Sequence, residues 1–227
     1  MLSLERLKGG LVVSCQPVTG GPMDQIEVIL AMAIAAVEGG ARGLRVEGAA
    51  NVAAVCKAVD VPVIGIIKTE QGENQAKITA HLSGAKALIE SGAKLVAVEV
   101  SQRHAQANLV PIFNCLIDAN VAIMADCATF EDGERALALG ASIIGTTLSG
   151  YTPDTQPMPA HPNYDLVSRF VELCHDKPTL VMAEGRFNTP HSAKKAIQLG
   201  ADCVTVGSAI TRVEHIVGWF NTAIAEA

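Results

Sequence analysis

Aromatic side chains are scarce, at 4% of the 227 residues. Single-stranded nucleic acids are held largely by stacking on such rings, so that role is disfavoured. Basic residues are in deficit too: 17 Lys and Arg stand against 23 Asp and Glu, a formal net charge of −6. No strongly basic face is left to displace phosphate counterions, and no nucleic-acid partner is expected. No apolar stretch reaches the ~18 residues of a membrane span without a charge or a Gly-Gly break, so no membrane partner is expected either. The start, Met1-Leu2-Ser3-Leu4-Glu5, lacks the charged-then-apolar layout of a signal peptide. Six cysteines (15, 56, 115, 127, 174 and 203) form no C-x-x-C pair and mostly sit in apolar runs. They read as buried thiols of a reducing compartment, and the expected location is the cytoplasm. Neither a P-loop nor a G-x-G-x-x-G turn follows a strand, which removes the common nucleotide sites. None of the six histidines ends a predicted strand or pairs at metal-ligand spacing, so no metal is expected.

What the chain does have is alternation. Hydrophobic residues make up 49% of it, and a chain of this length buries roughly 70% of its unfolded surface as one domain. Eight short, β-branched runs recur: Gly10–Gln16, Gly43–Glu47, Val61–Lys68, Lys94–Val100, Val121–Asp126, Ser142–Thr147, Thr179–Glu184 and Cys203–Ser208. Each is nearly continuously apolar, as strands covered on both faces of a parallel sheet are. Amphipathic segments lie between them, including Ile26–Glu38, Ala80–Ser91, Phe130–Leu139, Ser192–Leu199 and Val213–Ile224. Several end in Gly-Ala directly before the next run, the left-handed stop that closes a helix. Thr129 and Thr189-Pro190 read as helix starts. Eight such units predict a single-domain (β/α)8 TIM barrel over residues 1–227, with a doubly wound open sheet as the rival. A Pro-rich stretch, Tyr151–Pro162, reads as a long loop after the sixth strand.

In such a barrel the C-terminal ends of the strands face substrate. Those ends carry Gln16, Arg45, Glu47, Lys68, Glu99, Asp126, Thr146, Thr147, Glu184 and Ser208. Lys68 follows an apolar strand, where lost hydration lowers its pKa toward general-base or Schiff-base use; the plainer alternative is a lysine that snorkels or pairs with a carboxylate. Glu184 and Asp126 read equally as proton donors or ion-pair partners, Glu184 for Lys68 or Arg45. Glu47 and Glu99 also suit helix N-termini. Glycine turns after strands seven and eight, Glu184-Gly185-Arg186 and Val206-Gly207-Ser208, suit a phosphate, with Arg186 and Arg212 as nearby cations. Ser14 lacks the setting of a hydrolase nucleophile and reads as a sheet residue. Trp219 and Phe220 read as packing or interface residues.

These segments resemble the N-acylglucosamine-6-phosphate 2-epimerase family, also called N-acetylmannosamine-6-phosphate 2-epimerases. The resemblance spans nearly the whole chain, through Val12–Gln16, Val63–Lys68, Met124–Asp126, Ile144–Thr152, Ala183–Gly185 and Val206–Arg212. It implies an isomerase without a cofactor that interconverts N-acetylmannosamine 6-phosphate and N-acetylglucosamine 6-phosphate in sialic acid and amino-sugar catabolism. Its partners would be a phosphorylated N-acyl amino sugar and a second copy of the chain. Lys68 would be the acid/base and Glu184 its catalytic partner. Gln16, Arg45, Asp126 and Arg212, with Thr146 and Thr147, would bind the sugar. Gly185, Gly207 and Ser208, with Arg186, would bind the phosphate. Two departures stand out: Thr69–Glu73 lacks the basic residue and Asp-Tyr of many members, and Glu99 stands where many have Asp. The alternatives are a class I (Schiff-base) aldolase or another sugar-phosphate-binding barrel.

Overall fold

The computed structural model describes residues 4–69, 77–157 and 160–227; the departure at Glu70–Glu73 lies outside them. Eight parallel strands close into a barrel in chain order. They are β1 (Gly10–Cys15), β2 (Gly43–Glu47), β3 (Val63–Ile66), β4 (Leu95–Glu99), β5 (Ala122–Asp126), β6 (Ile143–Gly145), β7 (Leu180–Glu184) and β8 (Cys203–Val206). Closure comes from β1 pairing with β8, Gly10 opposite Cys203. The helices are α1 (Ile26–Glu38), α2 (Ala49–Ala58), α3 (Leu82–Glu90), α4 (Gln106–Asp118), α5 (Phe130–Ala138), α6 (Tyr164–Cys174), α7 (Pro190–Gln198), α8 (Ser208–Thr211) and α9 (Val213–Ala225). The open-sheet alternative is thereby set aside.

Strand alternation divides the apolar residues into two layers. Val12, Ile64, Leu95, Met124, Ile143, Met182 and Cys203 point inward and fill the barrel, with Leu7 packed among them. Val13, Leu44, Val96, Val98, Ile123, Ile144 and Val181 point outward beneath the helices. Small, branched side chains suit both layers, which explains why the chain folds with so few rings.

The glycine stops work as expected. At Gly40 the backbone turns to φ 96°, and the Ala41 N–H reaches back to the Ala36 carbonyl at 2.9 Å. The same closure follows α3, α5 and α7, where Ala93, Ala141 and Ala201 donate to Leu88, Ala136 and Ala196. Behind α4 the turn is made by Asn120 at φ 53°, a residue that tolerates this conformation. Thr129 and Thr189 both form capping boxes.

Two strand ends differ from expectation. The barrel ladder leaves β3 at Ile66, and Lys68–Thr69 pairs antiparallel with Lys77–Ile78 in a separate hairpin over the mouth. Likewise β8 stops at Val206, and Ser208 opens the single-turn α8.

Candidate active site

The inward parity that fills the barrel continues upward as a polar layer. Ser14 above Val12, Arg45 on β2, Glu99 above Ala97, Asp126 above Met124, Glu184 above Met182 and Thr205 above Cys203 all follow it. Above them opens a cavity of about 720 Å³ at the C-terminal mouth.

Arg45 is the hub, with 1% of its surface exposed. Asp126 grips it in a two-point pair, Nη2–Oδ2 at 2.6 Å and Nη1–Oδ1 at 3.0 Å. Glu184 Oε2 lies 3.3 Å from Nη1. Burial works against the guanidinium charge, but the two carboxylates outweigh it and raise its pKa. Thr147 donates to Asp126 Oδ1 at 2.7 Å. Asp126 is fully buried and belongs to the floor, so it shapes the site by holding Arg45 and does not line the cavity.

Thr146 and Thr147 separate by parity. Thr147 lines the cavity, whereas Thr146 turns its hydroxyl to the Glu184 backbone, donating to the carbonyl at 2.8 Å and accepting from the N–H at 3.0 Å. Thr146 thus braces the β7 end and does not line the cavity.

Glu184 answers the choice posed by its sequence position. It pairs with Arg45 and also lines the cavity. Burial is the main cause that raises its pKa, to about 7, with Asp126 adding to it and Arg45 opposing. Lys68 is moved the other way. Burial lowers its pKa to about 8, helped by the charges of Arg212 and Arg45 and opposed by Glu47 and Glu184. The hairpin aims it: the Lys68 N–H donates to Glu47 Oε1 at 3.4 Å, and the Thr79 N–H donates to the Ile67 carbonyl at 2.7 Å.

On the opposite side lie the glycine turns. Gly185, Gly207 and Ser208 line the cavity. Gly185, at φ 106°, holds a conformation that any side chain would strain. The helix after it starts only at Pro190, so the turn does not feed directly into that N-terminus. Arg186 is tied down, donating to the Ser149 and His161 carbonyls at 2.7 and 3.0 Å, and so straps the loop after β6 to the loop after β7. Arg212 donates through Nε to the Gln16 carbonyl at 3.0 Å. Gln16 in turn donates to Ser14 Oγ at 2.7 Å.

The structure adds residues that sequence reasoning read otherwise, Ser14 and Trp219, or passed over, Thr205 and Arg103. Ser14 and Thr205 line the cavity; their two-residue offset from Gln16 and Cys203 is the signal that would have found them. Trp219 also borders the cavity beside His215, so it is more than a packing residue. Arg103 lines the wall after β4, pairing with Glu99 at 2.9 Å. Glu99 is thus a buried anchor and not a helix N-terminal charge.

Comparison with known proteins places the chain in a family. Residues 29–226 match the NanE family model, described as "Putative N-acetylmannosamine-6-phosphate epimerase". Proteins named "Putative N-acetylmannosamine-6-phosphate 2-epimerase" are similar throughout. The one from Photobacterium profundum is 46% identical over 99% of this chain and 93% of its own length. That from Aliivibrio fischeri is 45% identical over 98% and 92%. The solved structure of the N-acetylmannosamine-6-phosphate 2-epimerase from Clostridium perfringens superposes with a TM-score of 0.89 at 31% identity, covering 97% of this chain and 95% of that one.

Proposed function

Since this chain belongs to the N-acetylmannosamine-6-phosphate epimerase family, we propose that Lys68 and Glu184 carry out its reaction by moving protons at the sugar. The enzyme is an isomerase that interconverts N-acetylmannosamine 6-phosphate and N-acetylglucosamine 6-phosphate in sialic acid catabolism. One observation carries the assignment of roles. A lysine with its pKa lowered to about 8 and a glutamate with its pKa raised to about 7 face one cavity. Near neutral pH the pair holds about one exchangeable proton.

The chemistry starts with ring opening, because the C2 hydrogen is acidic only when C1 is an aldehyde. Glu184 moves the proton from the C1 hydroxyl to the ring oxygen. Neutral Lys68 then removes the C2 proton, and the positive charges of Arg45 and Arg212 stabilise the enolate oxygen. Return of a proton to the opposite face of C2 gives the epimer. Gly185, Gly207 and Ser208 receive the phosphate, and its binding energy orients C2 at Lys68. No cofactor and no metal enter these steps.

We assign the whole chain, residues 1–227, to one barrel domain acting in the cytoplasm as a homodimer. Its six free cysteines support a reducing location, and burial raises Cys15, Cys174 and Cys203 to about 11, 11 and 12. Among the described residues no helix is long and apolar enough to cross a membrane. Supporting the dimer, α9 exposes Val213, Val217, Phe220 and Ile224 along one face, with Phe220 at 68% and Ile224 at 71%.

The deciding experiment is proton NMR of the protein with N-acetylmannosamine 6-phosphate in deuterated buffer. N-acetylglucosamine 6-phosphate should accumulate with deuterium at C2. If neither sugar changes and no C2 proton exchanges, the proposal fails. Borohydride trapping tests the Schiff-base alternative, and Lys68 should remain unmodified.

A further inference from the structure

The reaction places C2 of the sugar at Lys68, so the acylated nitrogen on C2 must lie against the same wall of the cavity. That wall is made by the hairpin carrying Lys68 and the loop after β4, which contribute Ile78 and Arg103 to the lining. The two pieces are fastened together. The Ile78 N–H donates to Glu99 Oε2 at 3.3 Å, and Lys77 Nζ donates to the Arg103 carbonyl at 3.4 Å.

Arg103 itself is clamped. Its Nε and Nη2 each lie 2.9 Å from Glu99 Oε1, with Glu99 fully buried and the arginine side chain 10% exposed. Its remaining nitrogen, Nη1, is buried and has no hydrogen-bond partner among the described residues. A buried cationic N–H without an acceptor is unfavourable, and Arg103 is a residue of the cavity wall, so a ligand oxygen reaching Nη1 would complete it. The other arginines of the cavity have partners: Arg45 two carboxylates, Arg186 two carbonyls and Arg212 one. The glycine turns proposed for the phosphate follow β7 and β8, across the barrel mouth from β3 and β4. A sugar seated by its 6-phosphate there extends its C2 end toward Arg103.

We propose that Arg103 is the N-acyl-binding residue, donating from Nη1 to the carbonyl oxygen of the C2 substituent while Ile66 and Ile78 face the acyl chain. Glu99 is its positioning residue: its carboxylate fixes the guanidinium plane and, through Ile78, ties it to the hairpin of Lys68. This assignment rests on the epimerase reading and deepens it, since it makes the site selective for N-acyl amino-sugar phosphates over sugar phosphates bearing a C2 hydroxyl.

The test compares two ligands that share a 6-phosphate. The KM for N-acetylmannosamine 6-phosphate and the Ki of mannose 6-phosphate as competitor are measured in the wild type, Arg103→Met and Glu99→Gln. A double variant, Glu99→Gln with Arg103→Met, leaves no unpaired buried charge and guards against misfolding. Loss of a charge-assisted hydrogen bond should raise KM about 10- to 100-fold in Arg103→Met and the double variant, while Ki moves less than about threefold. Glu99→Gln should raise KM in the same selective sense by a smaller factor. Equal changes in KM and Ki, or no change in either, overturn the assignment. If none of the variants folds, calorimetry on the wild type decides: mannose 6-phosphate should bind at least about tenfold more weakly than the N-acyl sugar, and equal affinity overturns it. A wild type that turns over nothing would instead defeat the epimerase reading.

Discussion

A single carboxylate can act as acid or as anchor, and in this barrel the difference is depth. Glu184 and Asp126 both touch Arg45, yet only Glu184 reaches the cavity. Lys68→Ala should lower kcat by about 10³-fold or more, with circular dichroism and phosphate-ligand affinity unchanged; near-normal turnover would remove Lys68 from the chemistry. The pH profile follows from the two shifted groups. Below about 7 Glu184 and Lys68 are both protonated and no base remains; above about 8 both have lost their protons and no acid remains. A plot of kcat/KM against pH should therefore be bell-shaped with limbs near those values, which belong to the pair and not to either residue. A flat profile across that range would contradict it. Asp126→Asn takes one charge from a buried pair, and urea denaturation should show a loss of about 3 kcal/mol.

At the scale of elements, the lysine proposed as the base stands on a hairpin and not on a barrel strand. The hairpin is closed by the Ile67 N–H to Thr79 and held by its backbone N–H groups to Glu47 on β2 and Glu99 on β4, so Lys68 is placed by two barrel strands at once. Thr79 holds φ 48° while its Oγ1 accepts from the Ile67 N–H at 3.3 Å. The helix stops are independent of the site and separately testable. At Gly40 an added Cβ meets nothing within 4 Å, so Gly40→Ala isolates backbone strain. It should cost about 1–2 kcal/mol in thermal unfolding without altering kcat.

The whole molecule is a closed barrel whose last helix is left over. Helix α9 buries no residue fully, yet Trp219 from it borders the cavity. Its apolar face is proposed to dock on a second copy, which links assembly to the rim of the site. Val217→Glu with Phe220→Glu should convert the dimer to monomer in sedimentation velocity. A dimer unchanged by both charges would place the interface elsewhere.

Much of this was legible along the chain because the controlling interactions are local. Alternating apolar runs, glycine stops such as Gly40 and Gly200, and the Thr129 and Thr189 caps depend on neighbours within one turn, and they determined the barrel's units. The polar strand ends located the mouth, and Ile144–Thr152 with Val206–Arg212 pointed to the family. Tertiary structure alone decided which of those ends reach solvent. Arg45 and Asp126 are 81 positions apart, and no local period pairs them. Thr146 and Thr147 are adjacent, and strand pleat sends them to opposite faces. The Lys68 and Glu184 shifts come from burial and charges gathered from several strands. Arg103 drew no attention because its meaning lies in Glu99, Ile78 and a cavity that exists only once the barrel closes: desolvation and hydrogen-bond geometry depend on three-dimensional surroundings, which a linear pattern does not carry.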